Sequence, residues 1–340
     1  MAELSYRPFQ ATDYKSAQAV RWCPGCGDHF LLNSLHKAMA NIGIPPHQIA
    51  VISGIGCSSR LPYYMNTYGF HTIHGRGAAI ASGVKVANPK LCVWQITGDG
   101  DCLAIGGNHF IHSIRRNIDL NIVLVNNQVY GLTKGQYSPT SPKGYTCKSA
   151  PYGTIEDPFR PAELTFGARG TFFARTVDVD TPVAIDVLTA AAKHKGASVV
   201  EVLENCVIFN DGTHSIVAKK DGRAKNSIIV EHGKPMIFGE NKEKGIVLDG
   251  LNLKVVALGE NGITEKDLLV HDESSVDNTI HQKLANMAYP EFPIALGVIR
   301  RVAAPSYNEE LIKQIEEVKA KNKTRTLQEY LMRGEIWEVK

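Results

Sequence analysis

Two groups of residues in this 340-residue sequence have the types and spacing to do chemistry. The first is Gly98-Asp99-Gly100-Asp101, answered 28 positions after Asp99 by Asn127 in the run Asn126-Asn127-Gln128-Val129. A carboxylate, an amide oxygen and a backbone carbonyl are hard oxygen ligands that suit Mg²⁺, which completes its octahedron with waters and phosphate oxygens. Gly98 and Gly100 let backbone N–H groups approach those phosphates closely. The plainer alternative makes Asp99 a helix cap ahead of Leu103. The second group is made of thiols: Cys23 and Cys26 in Trp22-Cys-Pro-Gly-Cys-Gly27, Cys57 in Gly54-Ile-Gly-Cys-Ser-Ser59, and the late Cys206. Four thiolates can hold a [4Fe-4S] cluster or a structural Zn²⁺, and spacing alone does not separate the two. Cys92, Cys102 and Cys147 read as packing residues.

These residues need strands and turns to bring them together. His29 to Asn41 has the apolar spacing of an amphipathic helix ended by Gly43 and Pro45-Pro46. Ile49 to Ile52 is an apolar run expected as a buried strand, and Leu91 to Ile96, Leu120 to Val125 and Val199 to Leu203 are expected as further strands. Gly77 to Ala87, Leu103 to Arg116 and Ala184 to His194 are expected as the helices between them. This β-α alternation predicts an α/β fold with a doubly wound parallel sheet. In such a sheet consecutive strands end side by side, so Asp99 and Asn127 can meet, and Cys206 emerges at the same edge as Cys57. After about Asn210 glycines separate short charged pieces, with helices expected at Ser274 to Ala288 and Asn308 to Lys319. The expected division is therefore a catalytic α/β domain over residues 1–215 and an appended C-terminal arm over 216–340, which serves a subunit interface or is simply a solvated extension.

Composition excludes several classes. Apolar residues make up 44% and charged residues 21%, which rules out a disordered or low-complexity chain. A net charge of +3 without a basic stripe argues against nucleic-acid binding. No apolar run approaches the roughly 20 residues that cross a bilayer. The N-terminal residues lack the pattern of a secretory leader and the seven cysteines are odd in number, so a cytoplasmic protein without a disulfide framework is expected. One local bias stands out: from His29 to Gly98 there is no Asp or Glu, whereas Lys37, Arg60, Arg76, Lys85, Lys90 and five histidines are present. Such a surface suits a phosphorylated cofactor or an acidic substrate. A nicotinamide-binding reading of Ile49 to Gly56 lacks the ribose-binding acid expected about 20 residues on.

The Gly-Asp-Gly…Asn-Asn arrangement resembles the magnesium and diphosphate signature of thiamine diphosphate enzymes. Together with CPGCG, GIGCSSR, HTIHGRG, NNQVYGLTKGQYSPTS and Cys206, it makes residues 15 to 215 similar to the β subunits of 2-oxoacid:ferredoxin oxidoreductases, and the Tyr-Gly-Leu-Thr-Lys-Gly-Gln run most resembles their 2-oxoglutarate branch. The resemblance implies [4Fe-4S] ligation by Cys23, Cys26, Cys57 and Cys206. It implies Mg²⁺ at Asp99, Asn127 and the carbonyl of Val129. Thiamine diphosphate would contact Ile55, Gly56, Cys57, Ser58, His74, Gly100, Asp101, Gly131 and Leu132. His74 and Lys134 are the residues expected to act in catalysis, Lys134 by meeting the distal carboxylate of 2-oxoglutarate.

The implied reaction is a reversible, CoA-dependent oxidative decarboxylation of a 2-oxoacid, with electrons passing through the cluster to ferredoxin. Pyruvate is the alternative substrate, and a zinc-bearing scaffold subunit without catalysis is a further alternative. Thiamine enzymes use a glutamate at the aminopyrimidine, and with no acidic residue from His29 to Gly98 that half of the site is expected from an α subunit, or a fused γ-α chain.

Overall fold

The computed structural model describes residues 7–321 and 326–339. Its centre is an eight-stranded sheet formed by β1 (Ile49–Ser53), β2 (Tyr68–His71), β3 (Cys92–Gly98), β4 (Asn121–Asn126), β5 (Phe172–Val177), β6 (Ser198–Leu203), β7 (Ser227–Val230) and β11 (Ile294–Arg301). The spatial order is β2-β1-β3-β4-β6-β5-β11-β7, and every pairing is parallel except β11 with β5. A small antiparallel sheet of β8 (Ile237–Phe238), β9 (Lys244–Asp249) and β10 (Asn252–Ala257) lies in the C-terminal part.

Strands β1, β4 and β6 are buried at every position, the signature of a parallel sheet covered on both faces. Their alternating side chains feed two separate cores. Val51, Trp94, Ile96, Val123 and Val125 join Leu31, Leu35 and Met39 of helix α1 (Asp28–Ile42) and Val187 and Leu188 of α6 (Thr181–Lys193). Ala50, Ile52, Val93, Ile122 and Leu124 face the other way, onto Ala81 of α2 (Gly77–Ala87), Phe110 and Ile114 of α4 (Gly107–Arg115), Phe166 of α5 (Pro161–Gly167) and Leu284 of α9 (Thr279–Ala285). The result is a three-layer α/β/α arrangement.

The chain runs from β1 outward to β2 and then crosses back over β1 to β3. The order therefore reverses between β1 and β3. In open α/β sheets the crevice beyond the carboxyl ends of strands at such a point is where ligands bind. Here it lies between the turn after Ser53 and the Gly98–Asp101 turn.

Two expectations need correction. The helix expected over Leu103 to Arg116 is broken into α3 (Asp99–Leu103) and α4. The Gly106-Gly107 pair permits the break: a Cβ on Gly106 would stand 2.4 Å from the Asp101 carbonyl and 3.1 Å from Gly75 Cα, so the β2–α2 turn packs directly onto the kink. The region from residue 216 onward does not stand apart as an appended arm, because β7 and β11 complete the main sheet. Its last helices, α10 (Tyr307–Lys321) and α11 (Leu327–Leu331), present mostly exposed surface; α7 (Ser215–Ala218) and α8 (Lys220–Asn226) link it to β6.

His194, just beyond α6, is buried against the Phe172 ring with Nε2 at 2.9 Å from the Thr171 hydroxyl. Burial lowers its pKa to about 4. The unfolded chain takes up a proton near pH 6.5 that the folded chain refuses, so the contribution of neutral His194 is complete above pH 6.5 and is lost as pH falls toward 4, by about 1.4 kcal/mol per pH unit. The stability difference between wild type and His194→Gln, measured by urea unfolding from pH 7 to pH 4.5, should narrow through that window. A difference constant with pH would contradict this assignment.

Candidate functional site

Asp101 organises the crevice. Its Oδ1 accepts backbone N–H groups of Ile55 (3.0 Å) and Gly75 (2.7 Å) and faces His74 Nδ1 at 2.8 Å, while Oδ2 accepts the Thr97 hydroxyl at 2.7 Å. One buried carboxylate thus ties together the turns after β1 and β2 and the end of β3. Because an ionised carboxylate only accepts, His74 donates its Nδ1–H and keeps Nε2 for a ligand. The glycines here are steric requirements. A Cβ on Gly54 would fall 2.1 Å from Asp101 Oδ2, and one on Gly100 would fall 2.1 Å from the Tyr130 ring, whose hydroxyl donates to the Gly100 carbonyl at 3.2 Å.

These turns enclose a cavity of about 200 Å³ walled by Ile55, Gly56, Cys57, Ser58, His74, Gly98 to Asp101, Asn127, and Val129 to Thr133. The nine residues expected around thiamine diphosphate and the three expected around magnesium are therefore brought together. Asp101 belongs to the wall, but its carboxylate is already engaged by protein donors.

Asp99 is 2% exposed. Its Oδ2 accepts the Ser138 and Thr140 hydroxyls, and its Oδ1 accepts the Gly100 N–H at 2.9 Å. Burial raises its pKa, against the pull of those donors, and no cationic side chain among the described residues offsets it. A carboxylate so placed fits a divalent cation. Asn127 presents an amide whose Oδ1 accepts the Val129 N–H at 3.2 Å and whose Nδ2 reaches Glu204 Oε2 at 3.5 Å.

The thiols lie behind the same wall. A Cβ on Gly131 would stand 3.4 Å from Cys206 Sγ and 3.6 Å from Cys57 Sγ, so a bare glycine separates these sulfurs from the cavity. Trp22 Nε1 donates to the Cys57 carbonyl at 2.7 Å and fastens the Cys23–Cys26 loop to the Cys57 turn. Asn210, bridged to Cys206, donates to the Asn127 carbonyl at 2.9 Å. Beneath Cys26 are three buried acids, Asp28, Asp178 and Glu204. Cys26 Sγ lies 3.5 Å from Glu204 and 3.6 Å from Asp28. Burial pushes the Cys57 thiol up to about 12, with Asp28 and Glu204 adding to the effect, and drives Cys26 far above the ordinary thiol range. Burial also raises Asp28 to about 7 and Glu204 well above the usual carboxylate range. A thiol in this state must lose its proton to solvent or a base before its thiolate can bind a metal. Among the described residues Cys26, Asp28 and Glu204 bring their potential ligand atoms within 4.8 Å of one another, and no three of the four expected cysteines come that close.

Lys134 stands apart. It is exposed, lies one residue beyond the cavity wall, and occupies the left-handed region at φ 77° in the turn closed by the Gly135 N–H on the Tyr130 carbonyl. Sequence reasoning did not single out Tyr130, Ser138, Thr140 or Glu204. The Ser-Pro-Thr run was visible, but nothing local shows that it folds back onto Asp99.

Residues 54–202 match the family described as the thiamine pyrophosphate enzyme C-terminal TPP-binding domain. The chain is 44% identical over 338 residues to the 2-oxoglutarate oxidoreductase subunit KorB of Mycobacterium tuberculosis, covering 98% of this chain and 89% of that protein. It belongs to the β subunits of the 2-oxoacid:ferredoxin oxidoreductases. A β subunit of this family from Aeropyrum pernix is 47% identical over 198 residues, 58% of this chain and 62% of its own length. A solved 2-oxoglutarate:ferredoxin oxidoreductase from Magnetococcus marinus, with 2-oxoglutarate, coenzyme A and succinyl-CoA bound, superposes with a TM-score of 0.77 at 30% identity, covering 97% of each chain. This β subunit is thus part of an enzyme acting on 2-oxoacids, built on a thiamine diphosphate domain. No helix among its described residues is long and apolar enough to cross a membrane.

Gly100→Ala should force the Tyr130 ring out of place and weaken thiamine diphosphate binding by the assembled enzyme at least about tenfold, the scale of displacing one well-placed group from a binding site. Calorimetric titration with the cofactor checks this, and wild-type affinity in the variant would contradict the cavity assignment.

Proposed function

We propose that this chain is the β subunit of a 2-oxoglutarate:ferredoxin oxidoreductase that binds thiamine diphosphate and Mg²⁺ in the Asp99–Asn127 cavity and a [4Fe-4S] cluster at Cys23, Cys26, Cys57 and Cys206. The observation that carries the reading is the shared wall: Cys57 lines the cavity while its sulfur and that of Cys206 flank Gly131. When bound, thiamine diphosphate supplies the carbon nucleophile for the 2-oxo carbonyl and takes up the electrons left as CO₂ departs, and the acyl group passes to coenzyme A. A cluster held by Cys23, Cys26, Cys57 and Cys206 would supply a one-electron acceptor beside it, on the way to ferredoxin.

This chain's residues bind and orient. Asp99, Asn127 and the Val129 carbonyl hold the cation that neutralises the diphosphate. Asp101 sets His74 and the N–H-bearing turns. Gly100 leaves space for the Tyr130 ring, and Gly131 lets the Cys57 and Cys206 sulfurs lie against the cavity wall. The place of Cys57 favours the cluster over zinc: it lies between Gly56 and Ser58 in the cavity wall, where a one-electron acceptor has a use and a redox-inert Zn²⁺ has none. The relatives' naming as 2-oxoglutarate enzymes supports that substrate over pyruvate.

The chain supplies half of the site. The acid-free stretch from His29 to Gly98 leaves the aminopyrimidine glutamate to the α subunit. Exposed Tyr68, Phe70, Ile73 and Leu132 beside His74 give that partner an apolar rim to cover. We also assign residues 216–340 a role in the subunit interface, supported by the exposed Ile312 and Ile315 of α10 and Leu327, Tyr330 and Leu331 of α11. A cytoplasmic location goes with this assignment.

Cys57→Ser should remove the visible iron–sulfur absorption and ferredoxin reduction, because a hard hydroxyl is a poor substitute for a soft thiolate; a fully coloured, active variant would sink the cluster assignment. Lys134→Ala in the assembled enzyme should raise KM for 2-oxoglutarate by about ten- to hundredfold, the range of a charge-assisted hydrogen bond, and leave pyruvate turnover unchanged or improved. Parallel losses for both substrates in steady-state kinetics would instead make Lys134 a supporter of the fold or cofactor.

A further inference from the structure

Arg175 on β5 and Glu201 on β6 form a buried ion pair, Nε to Oε2 at 2.7 Å, with side chains 9% and 3% exposed. The two are register partners on adjacent parallel strands. A buried pair is weak as a source of stability, because desolvation opposes the Coulomb attraction; its place here is explained by what it orients. On one side, Arg175 Nη1 and Nη2 donate to the Ala285 carbonyl at the end of α9, at 3.2 and 3.1 Å. On the other, Glu201 Oε1 accepts Asn126 Nδ2 at 2.8 Å. With its N–H committed to the carboxylate, the Asn126 amide turns Oδ1 the opposite way, to 2.9 Å from Thr140 Oγ1. That same hydroxyl lies 2.5 Å from Asp99 Oδ2, next to the Ser138 hydroxyl at 2.6 Å.

From these contacts we propose that Thr140 is a positioning residue for Asp99 and that the buried chain Arg175–Glu201–Asn126 sets Thr140. The chain fixes the rotation at which the Asp99 carboxylate meets the cavity, and it links the α9 end of the C-terminal region to the cation site through the sheet. The inference rests on the reading of Asp99 as a magnesium ligand. It assigns to Glu201 and Arg175, neither of which lines the cavity, control over how tightly the cation is held.

The test is a calorimetric titration of thiamine diphosphate into the assembled enzyme over a series of Mg²⁺ concentrations, with Asp99→Asn, Thr140→Val, Thr140→Ser and Glu201→Gln. Thr140→Val should raise the Mg²⁺ concentration for half-maximal cofactor binding about tenfold, the low end for a hydrogen bond to a charged group. Excess Mg²⁺ should restore both binding and kcat. Thr140→Ser, which keeps the hydroxyl, should stay near wild type, and Glu201→Gln should shift the Mg²⁺ dependence in the same direction by a smaller factor. The proposal is overturned if Asp99→Asn loses the Mg²⁺ dependence while Thr140→Val and Glu201→Gln keep that of wild type. It is equally overturned if the defect in both resists excess Mg²⁺, as a general loss of structure would. If Asp99→Asn itself keeps the wild-type Mg²⁺ dependence, the magnesium reading of Asp99 fails, and this positioning role falls with it.

Discussion

The buried Asp101 carboxylate is the interaction on which the site depends. It gathers donors from three strand ends, Ile55 after β1, His74 and Gly75 after β2 and Thr97 on β3, at the point where the sheet order reverses. Hydrogen bonds to an ionised group are stronger than neutral ones, and removing the acceptor would strand several buried donors at once. The constraint also explains why the surrounding residues are small. Gly54 leaves space for the carboxylate, Gly75 and Gly106 let the β2–α2 turn seat against the break between α3 and α4, and Gly100 leaves space for Tyr130. The cavity is a consequence of that packing.

Charge is distributed accordingly. The residues from His29 to Gly98 contribute no carboxylate, so the acids at the cavity are the pair delivered by Gly98-Asp99-Gly100-Asp101, one engaged by the protein and the other held by hydroxyls. The remaining acids near the site, Asp28, Asp178 and Glu204, are buried beneath Cys26, where burial favours their neutral forms. Glu204 touches both Cys26 and Asn127, so the thiol group and the Asn127 amide are parts of one packed unit. A substitution in either half is transmitted to the other by packing.

Much of this was legible in the sequence because the central strands are local signals. Ile49 to Ile52 and Ile122 to Val125 are unbroken apolar runs, Gly77 to Ala87 begins and ends where it was expected, and the Gly-Asp-Gly turn falls after β3 as the alternation requires. What escaped depends on long-range pairing. Strand β5 carries Arg175, whose charge conceals a buried strand until Glu201 is placed beside it. Strands β7 and β11 pair with each other although more than sixty residues apart, and β11 runs antiparallel to β5, so the C-terminal region read as an arm. Strand β2 is a short, exposed edge. At the site, the residues expected around the cofactor share one cavity, whereas the contacts of Ser138 and Thr140 with Asp99 arise from a loop folding back over distances that no local pattern encodes.

In the proposed enzyme thiamine diphosphate and a one-electron acceptor occupy opposite sides of the wall formed by Cys57 and Gly131. Low-temperature electron paramagnetic resonance of the assembled, oxidised enzyme, frozen after mixing with 2-oxoglutarate, tests it directly. The expected result is the signal of a reduced [4Fe-4S] cluster that appears with substrate and is absent when thiamine diphosphate has been removed. A cluster signal that substrate does not change, or that develops equally without thiamine diphosphate, would contradict it.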